Sequence, residues 1–313
     1  MTTFNGNTTN EEVIKAFTPQ IKGKTFVIVG AGHPSIGSEI ATSLAQGSPA
    51  HILLASRTAA KVEPVLSRIA ALDASVKTTF VQVDTTDHGS VRRAAAEILV
   101  AAPRIDVLYT LDKQGVEMQL SANHVGDFLL TNLLVPALLV AGAEPGGARL
   151  VNLTSSGYLI SPFRFDDWNF SGGKTYDPWI SYGQAKTANI LFAHGLHARL
   201  ASRGVTSTAT HPGYTPDTQL GAHLTPADYA AIAPTMKRST GRDWAWEEPR
   251  FKTLAQIAAT PLVAALDPAV PVLSPAYLWN GRVGEVEEYA WDPESVERLW
   301  RLSEELVGQR FEY

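Results

Sequence analysis

The apolar positions in the first half of the chain fall into short runs, and each run is followed by a longer stretch with helical spacing. The run at 25–29 (Thr-Phe-Val-Ile-Val) is almost entirely apolar, which is typical of a strand buried on both faces. The pattern predicts strands at 25–29, 51–55, 78–83, 105–110, 148–153, 205–210 and 276–279, and helices at 38–46, 59–72, 90–102, 117–141, 179–200, 253–266 and 293–306. Strands that alternate with helices favour an α/β fold with a doubly wound parallel sheet of about seven strands.

Three parts of the chain lie outside this alternation. Residues 1–22 are predicted to be a lead-in with a short amphipathic stretch at 11–17, and residues 23–313 to be a single domain. An insertion before the helix at 179–200 carries many aromatic residues: Tyr158, Phe163, Phe165, Trp168, Phe170, Tyr176 and Trp179. They predict either a pocket wall for an apolar substrate or a small cluster packed under a long loop. Residues 214–250 have no clean period and are predicted to form a lid.

Composition narrows the class of partner and the compartment. The chain has 313 residues, 45% of them hydrophobic, a net charge of −5 and no cysteine. The charge gives no reason to expect nucleic acid or an anionic membrane surface, and the missing cysteines exclude disulfides and thiol catalysis. We expect a cytoplasmic protein without a signal peptide or a membrane span, since the longest apolar run, 128–143, is too short to cross a bilayer. His194 and His197 have no third ligand at a suitable spacing, so no metal site is predicted.

A glycine-rich turn follows the first predicted strand and leads into a helix. The turn includes Gly30, Ser35, Ile36 and Gly37. Glycines let backbone N–H groups approach a phosphate, and the N-terminus of a helix attracts anions. The sequence therefore predicts that these residues bind the phosphates of a nucleotide.

Charged residues follow the next two predicted strands. Arg57 stands where an NAD-selective fold carries an acid for the ribose hydroxyls, and a cation there suits the 2′-phosphate of NADP. The alternative is a solvated arginine at a strand end. Asp84 and Thr85 end the third strand, where an acid could receive the adenine amino group.

The candidate catalytic pair is Tyr182 and Lys186, four positions apart on the helix predicted at 179–200. Residues at this spacing share one helix face, and a neighbouring ammonium stabilises phenolate, so the pair suits general acid/base chemistry. The same spacing is also common on solvated helices. The hydroxyls at 154–156 follow the fifth strand, and ligands of open parallel sheets bind at the carboxyl ends of strands.

Together, these motifs resemble the short-chain dehydrogenase/reductase family, and most closely its retinol-dehydrogenase-like NADP-dependent group. The resemblance runs from about Lys24 to Gly308 and rests on the segments 121–134, 151–156, 182–192, 211–213 and 299–308. It implies a Rossmann fold, NADP(H) as cofactor and a possible homodimer through paired helices. It also implies a catalytic tetrad of Asn123, Ser155, Tyr182 and Lys186.

The resemblance further assigns a role to each of these residues. Tyr182 would exchange a proton with the substrate oxygen, Ser155 would hydrogen-bond that oxygen, and Lys186 would hold the ribose hydroxyls. Asn123 would hold a water that passes protons from Lys186 to bulk solvent. Pro212, Gly213 and Thr215 would lie along the nicotinamide, and Thr218 would reach the pyrophosphate.

Two departures from the family pattern stand out. In the glycine turn, Val29 replaces a threonine, Ser35 replaces the middle glycine, and the loop is one residue longer. After the fourth strand, the Asn-Ala-Gly motif is missing and the sequence at 109–112 reads Tyr-Thr-Leu-Asp. Cofactor affinity, or the reaction itself, could therefore differ from the family norm.

Three functions remain open from the sequence. The first is an NADP(H)-dependent oxidoreductase for a carbonyl/alcohol pair on a hydrophobic small molecule. The second keeps the fold but uses Tyr182 as an acid/base in a cyclase, isomerase or dehydratase. The third is a non-catalytic NADP-sensing protein.

Overall fold

Eight strands among the described residues form one sheet in the computed structural model, which describes residues 4–110, 118–218 and 224–313. The strands are β1 (Thr25–Val29), β2 (His51–Ser56), β3 (Lys77–Gln82), β4 (Val107–Thr110), β5 (Ala148–Leu153), β6 (Val205–His211), β7 (Ala276–Trp279) and β8 (Arg282–Gly284). Their order across the sheet is β3-β2-β1-β4-β5-β6-β7-β8. All neighbours are parallel except β7 and β8, which are antiparallel. The predicted doubly wound parallel sheet is confirmed.

Helices lie between the parallel strands and at both ends of the described chain. They are α1 (Asn10–Ile21), α2 (Ile36–Ala45), α3 (Ala59–Leu72), α4 (His88–Ala101), α5 (Met118–Leu120), α6 (Gly126–Gly142), α7 (Pro178–Leu200), α8 (Pro226–Ala230), α9 (Ile232–Thr240), α10 (Leu254–Leu266), α11 (Val270–Leu273) and α12 (Pro293–Val307). A π-helical turn, Ser121–Val125, joins α5 to α6, and short 3-10 helices lie at Ser156–Ile160, Ala201–Arg203 and Glu288–Ala290.

The two faces of the sheet bury separate hydrophobic cores. Val27 and Leu53 belong to a core shared with α4, α6, α7 and α12. Phe26 and Ile52, the next residues along the same strands, belong to a core shared with α1, α2, α3 and α10. Because side chains alternate between the faces of a strand, an apolar run without polar positions can fill both cores.

The strand order reverses between β1 and β4, which are neighbours in the sheet. In an open parallel sheet, ligands bind in the crevice outside the carboxyl ends of the strands at such a point. Gly30, Arg57, Asp84 and Pro212 follow the carboxyl ends of β1, β2, β3 and β6, with Val83 between β3 and Asp84. The fold therefore gathers the predicted cofactor residues along one edge of the sheet.

Four features of the fold differ from the sequence prediction. The structure adds β8, whose three residues include an arginine and a glycine and so carry little strand pattern. The helix predicted at 117–141 is interrupted by the π-helical turn. α1 is longer than the predicted amphipathic stretch and buries Val13, Ile14, Phe17 and Ile21 in the core. The predicted lid contains two helices, α8 and α9, and its residues 219–223 lie outside the described chain.

The apolar segment Ser121–Gly142 is explained by packing within one chain. By length and composition alone this helix could cross a membrane, but 72% of its apolar window is buried inside the fold. Phe128, Leu130, Leu134 and Leu138 belong to the core shared with α4, α7 and α12. Its hydrophobicity therefore does not require a second subunit, and the homodimer stays a prediction.

Candidate active site

Helix α7 carries the Tyr182–Lys186 pair into the interior of the protein. Asp177 caps the helix by accepting hydrogen bonds from the amides of Trp179 at 2.9 Å and Ile180 at 3.1 Å, which satisfies two of the amides that every helix start leaves open. Lys186 is 2% exposed, and its Nζ lies 5.5 Å from the centroid of the Tyr182 ring. The pair is thus a buried ammonium beside a phenol, so the alternative of a solvated helix face does not apply.

Asn123 contacts the lysine of this pair directly. Lys186 Nζ donates a hydrogen bond to Asn123 Oδ1 at 3.1 Å, and Asn123 Nδ2 donates to the carbonyl of Gln119 at 2.6 Å. Asn123 lies in the π-helical turn Ser121–Val125. A π-helical turn adds a residue to the helix and frees backbone groups, and such turns are frequent at functional sites. The interruption that the sequence did not predict therefore lies at a predicted catalytic residue.

Gly157 contacts both Ser155 and the ring of Tyr182. Ser155 Oγ accepts a hydrogen bond from the Gly157 amide at 3.0 Å. A Cβ atom at Gly157 would lie 2.3 Å from Tyr182 Cε1 and 3.4 Å from Ser155 Oγ. The Tyr182 ring therefore packs on the bare Cα of Gly157, beside the Ser155 hydroxyl. Sequence analysis missed Gly157 because the close approach joins residues far apart in the chain.

The residue after Asn123 is also buried but has a different electrostatic role. His124 Nε2 lies 2.7 Å from Ser303 Oγ on α12, and the ring contacts Phe128 and Phe192. Burial lowers the pKa of His124 to about 3. His124 is therefore neutral near pH 7 and connects the π-helical turn to α12 without carrying a charge.

The glycine-rich turn has the backbone geometry of a phosphate cradle. Gly30 has a φ of 83°, a left-handed conformation that glycine adopts without strain, and its amide donates to the carbonyl of Ala55 at 2.8 Å. Ser35 is the N-cap of α2, and its hydroxyl accepts from the Ser38 amide and donates to the carbonyl of Gly30, both at 3.0 Å. The substituted serine thus closes the turn and caps the helix.

The start of α2 lies next to this turn. Ile36 and Gly37 are its first two residues, whose amides have no acceptor within an α-helix. Those amides and the positive end of the helix dipole suit an anion. The residues present therefore fit a dinucleotide pyrophosphate.

Arg57 and Asp84 are neighbours at the ends of β2 and β3. Arg57 is exposed, and its carbonyl accepts from Gln82 Nε2 at 3.0 Å. The pKa of Asp84 is lowered, chiefly by the hydrogen bond from the Thr86 hydroxyl at 2.7 Å, and the charge of Arg57 adds to this effect. Asp84 Oδ1 also accepts from the Thr86 amide at 3.0 Å. Asp84 Oδ1 therefore accepts both hydrogen bonds from within its own loop. The contact of Asp84 with adenine stays a prediction.

Thr85 lies against the helix that carries Asn123. A Cβ at Gly126 would be 2.1 Å from the carbonyl oxygen of Thr85. Only glycine permits this approach, which fixes the predicted adenine loop against the start of α6. Gly126 thus connects the predicted cofactor side of the site with the π-helical turn.

The turn after β6 contains Pro212, Gly213 and Thr215. Gly213 has a φ of 100°, and Thr215 is buried, with its hydroxyl accepting from the Asp217 amide at 3.2 Å. The buried side chain of Lys252 contacts this turn by donating to the carbonyl of Pro212 at 3.4 Å. Thr218 is the last residue before the undescribed segment 219–223.

The aromatic residues of the insertion, predicted as either a pocket wall or a loop cluster, lie in several environments. Phe163 belongs to the core beside α12, with Phe165 and Trp168 packed against it. Phe170 pairs with Tyr176, and Tyr158 packs in a separate cluster with Tyr277. Trp179 is different, because its ring lies 6.0 Å from that of Tyr182, edge to face. The pocket wall stays a prediction.

Two tyrosine rings, Tyr229 on helix α8 and Tyr214 after β6, extend the aromatic contacts of Trp179. The Tyr229 ring lies 6.2 Å from that of Trp179 and 5.8 Å from that of Tyr214, and the two tyrosine hydroxyls are 2.9 Å apart. The pKa of Tyr229 is raised, mainly by burial and by its hydrogen bond to Tyr214, with a smaller contribution from the charge of Tyr182. Tyr229 therefore lies within electrostatic reach of the catalytic candidate.

The segment 224–250 is docked against α7 by polar and apolar contacts. Trp179 Nε1 donates to the carbonyl of Asp228 at 2.8 Å, and Arg238 forms an ion pair with Asp177 at 2.8 Å. Ile232 and Met236 pack on Ile160. The rings of Trp179 and Tyr229 thus cover the N-terminal end of α7 on the side of Tyr182.

The segment 109–112 stands where the family has its Asn-Ala-Gly motif, and the structure describes only its first two residues. Tyr109 is fully buried, and the Thr110 hydroxyl donates to Asn152 Oδ1 on β5 at 2.8 Å. Leu111 and Asp112 lie outside the described residues. The two described positions are therefore structural members of the sheet.

Comparisons with known proteins agree with this fold. A family model described as short chain dehydrogenase matches residues 24–165. Retinol dehydrogenase 12 of Mus musculus is 33% identical over 94% of this chain and 89% of its own length. Retinol dehydrogenase 11 of Homo sapiens is 32% identical over 93% of this chain and 88% of its own length.

Solved structures show the same fold at lower identity. NADPH-bound carbonyl reductase from chicken fatty liver has a TM-score of 0.61 at 18% identity and covers 85% of this chain and 100% of its own. The RhlG/NADP active-site complex of Pseudomonas aeruginosa has a TM-score of 0.58 at 19% identity and covers 80% of this chain and 93% of its own.

The chain belongs to the short-chain dehydrogenase/reductase family, whose members are oxidoreductases that use nicotinamide cofactors. Within that family it is retinol-dehydrogenase-like, since its similarity to retinol dehydrogenases 11 and 12 extends over most of its length.

Proposed function

We propose that this protein is an NADP(H)-dependent oxidoreductase that interconverts a carbonyl and an alcohol on a hydrophobic small molecule. The observation that carries the proposal is the cluster of buried Asn123 and Lys186 with the partly buried Tyr182, whose ring lies beside Ser155. Ser155 follows the carboxyl end of β5, and the glycine-rich turn follows the carboxyl end of β1 in the same parallel sheet. A sensor of NADP would not need an acid/base pair at that place.

The proton chemistry follows from the positions of these side chains. Tyr182 Oη delivers a proton to the substrate oxygen during reduction and takes it back during oxidation. The Lys186 ammonium is 2% exposed and stabilises the phenolate that remains. Asn123 Oδ1 accepts from Lys186 Nζ at 3.1 Å and thereby fixes the direction of the lysine. The Ser155 hydroxyl donates to the substrate oxygen and orients it.

The cofactor residues divide into two groups. Gly30, Ser35, Ile36 and Gly37 would hold the pyrophosphate at the start of α2, and Arg57 would pair with a 2′-phosphate. The nicotinamide supplies or accepts hydride when it is bound. Asp84 and Thr85 would border the adenine.

The turn after β6 would line the other end of the cofactor. Pro212, Gly213 and Thr215 would border the nicotinamide, and Thr218 would lie near the pyrophosphate. Because every one of these residues follows the carboxyl end of a strand, the sheet itself sets the path of the dinucleotide.

The substrate class is inferred from the rings around Tyr182. Trp179, Tyr214 and Tyr229 form a connected aromatic surface on the side of Tyr182 that α8 covers. Aromatic surfaces with a few convergent polar groups are typical of sites for small apolar ligands. Residues 214–250 would act as the lid that excludes water during the reaction. The absence of cysteine fits a cytoplasmic location.

The proposal is tested by NADPH binding and turnover with a panel of hydrophobic aldehydes and ketones. Tyr182→Phe should keep NADPH affinity and lose at least about 10²-fold in kcat, because general acid/base catalysis contributes that much. Tyr289→Phe is the matched control, since its hydroxyl donates to the carbonyl of Tyr158 at 3.0 Å and has no role in the proposed chemistry. Equal turnover of wild type and Tyr182→Phe would contradict the proposal.

The product distinguishes redox chemistry from the alternative. A product that differs from its substrate by two hydrogen atoms supports the oxidoreductase. A product with unchanged mass that still depends on Tyr182 would instead support an isomerase or cyclase on the same fold.

A further inference from the structure

A buried charged cluster lies beneath the turn that follows β6. Lys252 is 4% exposed, and its Nζ donates to the carbonyl of Pro212 at 3.4 Å and to Asn280 Oδ1 at 2.5 Å. Its backbone amide donates to the carbonyl of Tyr214 at 2.9 Å. A buried ammonium is costly unless its surroundings compensate it. The proposed proton chemistry does not use this lysine, so its burial calls for another role.

Gly213 is shaped to admit this lysine. A Cβ at position 213 would lie 2.6 Å from Lys252 Cδ and 2.7 Å from Lys252 Nζ. The lysine therefore crosses directly against the Cα of Gly213, which has a φ of 100°. The conformation of the turn and the position of the ammonium depend on each other.

An anion from the lid segment balances the cluster. Glu247 Oε1 lies 2.6 Å from His211 Nε2, at the end of β6. Burial raises the pKa of Glu247, but the hydrogen bond with His211 and the charges of His211 and Lys252 outweigh it and lower the pKa. Burial lowers the pKa of Lys252, and the charge of Glu247 opposes that effect. The Lys252 ammonium and the Glu247 carboxylate are thus held inside the protein beside the same turn, with His211 against the carboxylate.

We propose that Lys252 is a positioning residue for the nicotinamide end of the cofactor and that its ammonium makes the site prefer the reduced ring. The inference rests on the proposed function for the assignment of Pro212 and Gly213 to the nicotinamide end. The oxidised nicotinamide ring carries a positive charge and the reduced ring does not. A buried cation against the turn repels only the oxidised form, and Glu247 limits this repulsion.

The test compares the dissociation constants of NADPH and NADP+ for the same protein without substrate. Both forms make the same contacts through phosphates and adenine, so the ratio of the two constants isolates the charge at the ring. Lys252→Met removes the charge and keeps an unbranched apolar side chain. It should shift the ratio about tenfold towards NADP+, which corresponds to about 1.4 kcal/mol.

Two further variants separate charge from packing. Glu247→Gln keeps an oxygen for His211 but removes the anion, so it should shift the ratio in the opposite direction, towards NADPH. This second variant carries the test if Lys252→Met does not fold. Because Lys252→Arg keeps the charge, the ratio of the NADPH and NADP+ dissociation constants should stay within about twofold of wild type.

The outcomes distinguish this inference from the proposed function. If wild type binds neither cofactor form, both are overturned. If wild type binds both forms and Lys252→Met and Glu247→Gln change the two constants by equal factors, or not at all, the electrostatic role of Lys252 is overturned and the proposed function stands. Opposite shifts in the two variants would support the inference.

Discussion

Replacing Gly157 by alanine should disable the active site through one methyl group. The new Cβ would lie 2.3 Å from Tyr182 Cε1 and 2.8 Å from Tyr182 Cδ1. Nonbonded carbon atoms pack at about 3.5–4.0 Å, so the Tyr182 ring or the Gly157 segment must move by at least about 1.2 Å. A misplacement of about 1 Å in a catalytic group can reduce the rate on the order of 10²-fold.

The cost to stability should be much smaller than the cost to catalysis. Overpacking of a well-packed site costs typically about 1–3 kcal/mol, which most domains survive. We therefore expect Gly157→Ala to fold, to bind NADPH with an affinity close to wild type, and to lose about 10²-fold in kcat, equal to about 2.7 kcal/mol of transition-state stabilisation.

The assay measures kcat and NADPH affinity on protein whose folded fraction is known from thermal melting. Gly195→Ala is the matched control on α7, the helix that carries Tyr182, because its new Cβ would lie 3.1 Å from Trp300 Cε3, away from Tyr182. Wild-type kcat in Gly157→Ala, or a loss no greater than the loss of folded protein, would refute the packing of Tyr182 on Gly157.

Three further predictions follow from the site and the core. Arg57→Gln should weaken NADPH binding by about 10- to 100-fold and leave NADH binding unchanged, whereas Arg68→Gln on the exposed surface of α3 should change neither; equal effects on both cofactors would contradict the 2′-phosphate role. Tyr229→Ala removes a ring that contacts Trp179 and should raise KM for an apolar carbonyl about tenfold without changing NADPH affinity; an unchanged KM would argue against α8 as part of the chamber. Burial lowers the pKa of His124 to about 3, so the folded protein excludes a proton that the unfolded chain binds below about pH 6.5. The contribution of His124 to the free energy of unfolding should therefore fall by about 2 kcal/mol between pH 7 and pH 5. His124→Gln should remove that part of the pH dependence in urea titrations, and an unchanged slope would contradict it.

The parts of the fold that depend on local periodicity could be predicted from the sequence. The parallel strands and most helix bounds follow from the spacing of apolar residues, and Tyr182 and Lys186 follow from the geometry of one helical turn. The contact of Ser35 is also local in the sequence, because its hydroxyl caps the helix that it precedes.

Contacts between distant segments could not be predicted in this way. The π-helical turn at Asn123 depends on packing against α7 and on the close approach of Gly126 to Thr85. The roles of Gly157 and Lys252 depend on contacts with residues that are distant in the sequence and close only in the folded protein. The distribution of the aromatic insertion between the core beside α12, the cluster of Tyr158 and the neighbourhood of Tyr182 has the same cause, since composition does not indicate which way a ring faces.

The central claim is that Tyr182, beside the buried Lys186, acts on a substrate oxygen while a nicotinamide transfers hydride. The most direct measurement is the transfer of deuterium to an apolar ketone from NADPH that carries deuterium at both hydrogen positions of nicotinamide C4, followed by mass spectrometry. The account predicts one deuterium on the carbinol carbon of the product with wild type and a rate reduced at least about 10²-fold with Tyr182→Phe. An unlabelled product, or equal transfer by both proteins, would contradict it.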